Sequence, residues 1–314
     1  MTNHRQNIGI FFILLLIVSA SCTTMVNGKH NVNTDNFQNA EKITNNTLFQ
    51  PTENTDPTQD TSKINDITKN YWAVLIGIND YPGTTNDLPY SVNEITSFQN
   101  TLLHTRNWKQ SNIKILTDTN ATNSSLINAI TWLDENEDSN DVSLIYFAGH
   151  GSRNAEGQEY IMLYDAKITD KELDTQLDNL EGKIIVILDS CKSGGFIEEL
   201  RQNKRVILTA CSKNELTYQD DNLQSGIFGY FLNRTLDKLA KSAETAFLFT
   251  NPLCVSYSEK LSEIYHGNYT FHPAKYDGTI GLTKIITWRK FLPSSLENLA
   301  SFKIKSFKSK IWIL

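Results

Sequence analysis

Basic residues are in the minority here, 29 Lys and Arg against 35 Asp and Glu, for a net charge of −6. A chain without a basic excess lacks the electrostatic footprint that a polyanion needs, so nucleic acid is not an expected partner. Cysteine is scarce, with four residues in 314, too few to serve as a disulfide framework. No G-x-S-x-G elbow occurs, which argues against an α/β serine hydrolase. Neither a Walker glycine loop nor a G-x-G-x-x-G is present, which removes the usual nucleotide cradles. No internal repeat or sustained heptad suggests a solenoid or coiled coil. Hydrophobic content of 39% and charged content of 20% are ordinary for a globular chain and leave room for one sizeable domain.

Four regions are visible. Residues 1–22 read as an export signal: Arg5 is the positive end, Ile8 to Val18 form an apolar stretch short for a bilayer span, and Ser19, Ala20 and Ser21 precede Cys22. Small residues directly before a cysteine resemble a bacterial-type lipoprotein signal, with Cys22 as the lipidated residue and a membrane partner through that lipid. Ser19 departs from the aliphatic residue usual there, so cleavage and secretion, or an uncleaved anchor, stay open as alternatives. Residues 23–69 are rich in Asn and Thr, with Phe37 and Phe49 as their aromatics. Such a segment buries too little apolar surface to offset its ordering entropy and is expected to be a disordered tether. Residues 70–290 carry the pattern of a folded domain. Residues 291–314, ending "SFKIKSFKSKIWIL", alternate Lys with apolar residues and read either as a terminal strand or as a stretch lying on a membrane surface.

Within the domain, short apolar runs alternate with amphipathic stretches. "YWAVLIGI" (71–78), "NIKILTD" (112–118), "DVSLIYFAG" (141–149), "KIIVILDS" (183–190) and "KRVILTACS" (204–212) read as buried strands. Helical spacing appears over 91–105 (Val92, Ile95, Phe98, Leu102) and over 120–137 (Leu126, Ile127, Ile130, Leu133), the latter with Asn or Ser as its cap. Further helices are expected over 169–177, 225–241 and 256–266, and "EYIMLYDA" reads as a strand or hairpin. The alternation predicts an α/β fold, a mostly parallel central sheet flanked by helices on both faces.

Two strand ends carry chemistry. The third strand runs into Gly149-His150-Gly151 and the fourth into Asp189-Ser190-Cys191, followed by Gly194 and Gly195. Functional residues collect at the carboxyl edge of parallel strands, and neighbouring strands would bring His150 and Cys191 to one crevice. A thiol beside an imidazole is a nucleophile with its base. The N–H groups of Gly151 and Cys191 are candidate donors to the oxyanion of an acyl transfer. Taken singly, a cysteine after an apolar strand is more often inert core, and a histidine between glycines is often a loop residue. Their coincidence carries the argument. Cys211 and Cys254 are left as a candidate pair or as two buried thiols.

"AVLIGINDYPG", "NDLPYSVNE", "YFAGHGSRN", "VILDSCKSGG" and "SGIFGYFL" stand in the order of landmarks of the caspase–metacaspase family of cysteine peptidases, which the chain resembles from Tyr71 to about Lys284. "HPAKYDGTIGL" is similar to the segment that closes bacterial and archaeal members. The resemblance implies a caspase-like α/β/α sandwich, His150 as general base, Cys191 as nucleophile, and protein or peptide substrates. Lys192 departs from the His usual in metacaspases. By the same resemblance, Glu94 and Asp189 match the acidic pocket that accepts Arg or Lys before the cleaved bond. The loop "NDYPGTTNDLPYSV" holds no Arg or Lys to receive an Asp there. Paired carboxylates suit a desolvated cation, while capping of the nucleophile loop is an open alternative role for Asp189. The chemistry requires no cofactor. The family's calcium acids map to Asp165, Asp170 and Glu198, with Lys171 near a further expected acid, which leaves calcium dependence open. Only "KSGGFIEELRQNK" separates Cys191 from the next strand, so a single-chain enzyme is expected. The alternative is a catalytically silent caspase-like scaffold held at the cell surface.

Overall fold

The computed structural model describes residues 68–287 and 310–314. The signal at 1–22 with Cys22, the tether at 23–67 and residues 291–309 lie outside the described residues. In chain order the elements are β1 (Tyr71–Gly77), α1 (Ser91–Leu103), β2 (Ile113–Thr117), α2 (Asn123–Asn136), β3 (Val142–Ala148), β4 (Gly151–Arg153), β5 (Glu159–Met162), β6 (Lys167–Thr169), α3 (Asp170–Leu177), β7 (Lys183–Asp189), α4 (Phe196–Leu200), β8 (Arg205–Thr209), β9 (Tyr218–Asp220), β10 (Ser225–Gly226), α5 (Ile227–Lys238), α6 (Ala243–Tyr265), β11 (Ala274–Asp277) and β12 (Ile311–Ile313).

Six strands form the central sheet in the order β11-β8-β7-β3-β1-β2. Neighbours are parallel except β11, which runs antiparallel to β8 at one edge. All seven residues of β3 are buried. That is why its sequence is a continuous apolar run: each face is covered, and each large side chain so buried contributes about 1.5–3 kcal/mol. One core gathers Ile95, Phe98, Tyr146, Phe228, Phe231 and Phe247 beneath α1, α5 and α6. The other gathers Leu126, Leu133, Phe147, Leu173, Phe196 and Leu200 beneath α2, α3 and α4. The mostly parallel sheet with helices on both faces is thus present.

Two local details differ from the sequence pattern. The N-cap of α2 is Thr122, whose side chain accepts the Ser125 N–H, in place of an Asn or Ser. Helix α6 starts at Ala243 rather than near 256 and continues through Pro252. The proline removes one i→i−4 donor, yet it is exposed. The acceptor it deprives belongs to Leu248, itself half exposed, where water can serve the carbonyl.

Two three-stranded sheets flank the carboxyl edge of the central one, β4-β5-β6 and β10-β9-β12. The second contains Ile311–Ile313, antiparallel to β9 with Ile313 opposite Tyr218 and Ile311 opposite Asp220. Residues 310–314 thus do not form a separate tail but belong to the same compact unit as the central sheet. Among the described residues no helix is long and apolar enough to cross a membrane.

Candidate active site

The register of β3 and β7 pairs Ala148 with Asp189. Both strands end there, and His150 and Cys191 follow two residues later. Adjacent strands lie about 4.8 Å apart, so the imidazole and the thiol leave one edge of the sheet from neighbouring strands. Gly149 N–H still donates to Asp189 O at 3.2 Å, which holds the two strand ends together.

Each side chain has a fixed partner. His150 Nε2 lies 2.8 Å from the Asn86 carbonyl oxygen, which sets Nε2 as the protonated nitrogen and leaves Nδ1 to accept. Its backbone N–H donates to the Tyr81 hydroxyl at 2.9 Å. Cys191 Sγ receives the Thr217 N–H at 3.4 Å and faces Thr217 O at 3.6 Å. Among the described residues no hydrogen bond joins Sγ to the imidazole. Cys191 is 2% exposed. Burial pushes its thiol up to about 12 and holds the His150 imidazole below its ordinary value. The resting pair is therefore a neutral thiol and a neutral imidazole.

Gly151 has no room for a side chain. A Cβ there would lie 2.6 Å from Ser190 Oγ and 2.7 Å from Cys191 O. Met162 N–H donates to His150 O at 2.9 Å, which makes Gly151–Ile161 a non-hydrogen-bonded pair of the antiparallel ribbon. The Gly151 N–H therefore points away from β5. Directly after the cysteine, Lys192 takes the left-handed conformation at φ 59°, a strained choice for a residue with a Cβ.

Glu94 and Asp189 meet in the core. Asp189 Oδ2 accepts the Gly229 N–H at 2.8 Å, and Glu94 Oε2 accepts the Gly226 N–H at 2.7 Å and the Ser225 hydroxyl at 3.1 Å. Glu94 Oε1 takes the Tyr146 hydroxyl at 2.7 Å. These acceptors close the N-terminus of α5, where unpaired N–H groups and the helix dipole favour carboxylates. A Cβ at Gly226 or Gly229 would collide with them, which explains the glycines of "SGIFG". Burial raises both carboxyl groups above their ordinary values. Asp189 Oδ1 has no N–H or O–H of another residue on it, and burial favours the protonated, uncharged form of both carboxyls. Asp189 thus does the capping work weighed as its alternative role, although for α5 rather than for its own loop.

A family model described as the caspase domain (Peptidase_C14) matches residues 70–260, more than half of the chain. The chain belongs to the caspase-domain family of cysteine peptidases. Metacaspase-4 of Arabidopsis thaliana is 31% identical over 176 residues, covering 50% of this chain and 41% of that protein. Metacaspase-1 of Schizosaccharomyces pombe is 27% identical over 147 residues, covering 40% of this chain and 34% of that protein. The chain therefore spans less than half the length of these curated relatives. Among solved structures, caspase-1 from Spodoptera frugiperda superposes with a TM-score of 0.53 at 10% identity, over 71% of this chain and 92% of that one. Protein GSU0716 from Geobacter sulfurreducens gives 0.51 at 15% identity, over 68% and 94%. These two likenesses show the fold.

For a caspase-domain chain, the expected calcium acids do not converge. Asp165 Oδ1 accepts the Asn123 N–H at 2.8 Å, at the start of α2. Asp170 opens α3 and accepts the Lys171 N–H at 2.9 Å. Glu198 is paired with Lys213 Nζ at 2.5 Å, and the nearby buried Glu159 is paired with Arg153 at 2.6 Å. Lys213 and Arg153 thus already occupy Glu198 and Glu159, and among the described residues no three His, Cys, Asp or Glu side chains group as a metal site. Asp165, Asp170 and Glu198 do not fit a calcium centre. Cys211 and Cys254 are both buried and free.

The residues missed from sequence are Tyr81, Asn86 and Thr217, all in loops at the carboxyl edge of the sheet. Asn86 and Thr217 act chiefly through the backbone, which leaves no side-chain signature. Tyr81 follows the first strand closely, and its position is the one signal available.

Proposed function

We propose that this protein is a cysteine endopeptidase in which Cys191 attacks the peptide carbonyl and His150 moves the proton. His150 Nδ1 takes the thiol proton, and the thiolate adds to the carbonyl carbon. The oxyanion is met by the N–H groups of Gly151 and Cys191. The imidazolium then protonates the leaving amine, and a thioester remains on Cys191. Water, deprotonated by His150, hydrolyses it and frees the acid. The observation that carries this reading is the placement of His150 and Cys191 two residues past the Ala148–Asp189 register pair.

The cleaved bond follows Arg or Lys. Support comes from the Glu94–Asp189 pair, joined through Asp189 to the strand that delivers Cys191. A guanidinium or ammonium would replace the proton the pair holds, turning a costly pair of buried like charges into an ion pair. Export with lipidation at Cys22, or cleavage and secretion, rests on the pattern of residues 1–22. Palmitate labelling of Cys22 checks the lipid anchor.

A catalytically silent binding domain is the second reading, favoured by the deep burial of Cys191. Purified protein assayed with fluorogenic peptides bearing Arg, Lys, Asp or Asn before the cleaved bond, beside Cys191→Ala and with and without a chelator, separates the two. Hydrolysis after Arg or Lys that disappears in Cys191→Ala supports the peptidase. Hydrolysis after Asp alone overturns the specificity, and activity surviving Cys191→Ala overturns the site.

A further inference from the structure

Residues Lys310–Leu314 lie along the candidate site as an added strand. Ile311–Ile313 pair antiparallel with Tyr218–Asp220, and the Leu314 N–H donates to Thr217 O at 3.2 Å. Thr217 is also the residue whose N–H reaches Cys191 Sγ, so the strand that receives this segment is the wall of the thiol itself. The segment alternates as a half-buried strand should. Leu314 is 1% exposed, in the same apolar cluster as Cys191, and Trp312 packs against that cluster, while Ile313 is 53% exposed.

The far end is held by Asp221. Its carboxylate accepts the Lys310 N–H at 3.1 Å, the Trp312 indole N–H at 3.5 Å and the Tyr90 hydroxyl at 2.7 Å. Its own N–H donates to Lys310 O at 3.3 Å. At the near end the Leu314 N–H is held by Thr217 O, the carbonyl that Cys191 Sγ faces at 3.6 Å. Strand addition of this kind takes affinity from main-chain hydrogen bonds and selectivity from alternate side-chain pockets.

We propose that residues 310–314 are a built-in pseudosubstrate that closes the Cys191–His150 site by adding a strand to β9, anchored by Asp221. This rests on the peptidase reading for what the groove otherwise accepts, though not for the segment's own seating. The segment blocks without satisfying the site. Leu314 is buried in the apolar cluster that holds Cys191, and it carries no charge to offer the buried Glu94 and Asp189. A substrate carrying Arg or Lys gains an ion pair that the segment lacks, and so can compete for the groove. Seating also keeps Cys191 covered, which holds the thiol in its unreactive neutral form.

Iodoacetamide labelling tests the closure without requiring peptidase activity. The full chain, a variant lacking 310–314 and Asp221→Ala are labelled at neutral pH, and the modified cysteines are mapped by mass spectrometry. Labelling of Cys191 is expected to rise by about tenfold or more on removal of the segment, as thiolate character and access return. It should rise less in Asp221→Ala, and fall again when the peptide Lys-Ile-Trp-Ile-Leu is added to the shortened protein. If the shortened protein is unfolded, Cys211 and Cys254 label together with Cys191, and Asp221→Ala then decides. Equal labelling of Cys191 in full chain and Asp221→Ala overturns the proposal. So does protection that weakens on dilution of the full chain, since the occupant would then come from a second copy. Protection by the segment without hydrolysis in any protein removes the peptidase reading and leaves the closure standing. Hydrolysis and labelling that are unaffected by the segment do the reverse.

Discussion

His150 and Cys191 each follow by two residues the paired ends of adjacent parallel strands, Ala148 and Asp189. Neither side chain has to be aimed by a long loop. The sheet sets their separation, the Asn86 carbonyl orients the ring, and Gly151 lets the two strand ends close on one another.

Gly151→Ala tests that closeness. The added methyl meets Ser190 Oγ at 2.6 Å and Cys191 O at 2.7 Å, so the loops must separate, at about 1–3 kcal/mol of overpacking. Denaturant midpoints should fall, and turnover should fall by more than substrate affinity, because the N–H groups of Gly151 and Cys191 move apart. Unchanged turnover with lowered stability would remove Gly151 from the oxyanion role.

Tyr81→Phe removes the acceptor of the His150 backbone N–H and leaves that donor unpaired beside a buried ring. The expected loss of stability is about 1–3 kcal/mol, read from urea unfolding, with reduced kcat as the imidazole loses its tether. A variant as stable and as active as the parent would show the hydroxyl to be incidental.

Asp189→Asn tests the buried carboxyl pair through pH. The folded carboxyl of Asp189 titrates above its unfolded value of 3.8, so the native state binds the extra proton. Its stabilising contribution is complete below about pH 4 and is lost as pH rises toward the folded value. A neutral amide does not suffer this loss. The melting temperature of Asp189→Asn should therefore gain on the parent as pH rises from about 4 toward the folded value. A gain that shrinks with pH would mean the pair is charged at rest. The variant should also lose hydrolysis after Arg.

Arg205→Met tests the opposite face of the domain. Arg205 is 2% exposed, paired with Asp174 and with Asp178 at 2.8 Å, and it donates to Leu200 O at 3.0 Å. Breaking these pairs should destabilise the fold, though less than in a fully buried pair, because Asp178 is half exposed. Thermal unfolding should register the loss, while peptidase activity at low temperature should persist, since Arg205 lies at the start of β8 and the dyad at the far ends of β3 and β7.

The strands of the central sheet were legible because residues buried on both faces leave uninterrupted apolar runs, as in "VSLIYFA". His150 and Cys191 were legible because they end such runs beside glycines. Elements of three residues have no periodicity to detect, so β9 and the groove beside it could not be read. The Lys–apolar alternation near the C-terminal end showed that a strand was open to the chain but not which strand would receive it. Pro252 hid the first half of α6, because only its exposed position in the fold makes the lost hydrogen bond tolerable. The acids mapped to calcium have other partners in the fold: Lys213 for Glu198, the Asn123 N–H for Asp165 and the adjoining Lys171 N–H for Asp170.

The central claim is that Cys191 is a nucleophile activated by His150. A peptidyl electrophile ending in Arg, incubated with the protein lacking 310–314 and with the same protein carrying His150→Ala, tests it most directly. The account expects a single covalent adduct on Cys191, formed at least about tenfold more slowly without the imidazole. An adduct on Cys211, or equal rates with and without His150, would contradict it.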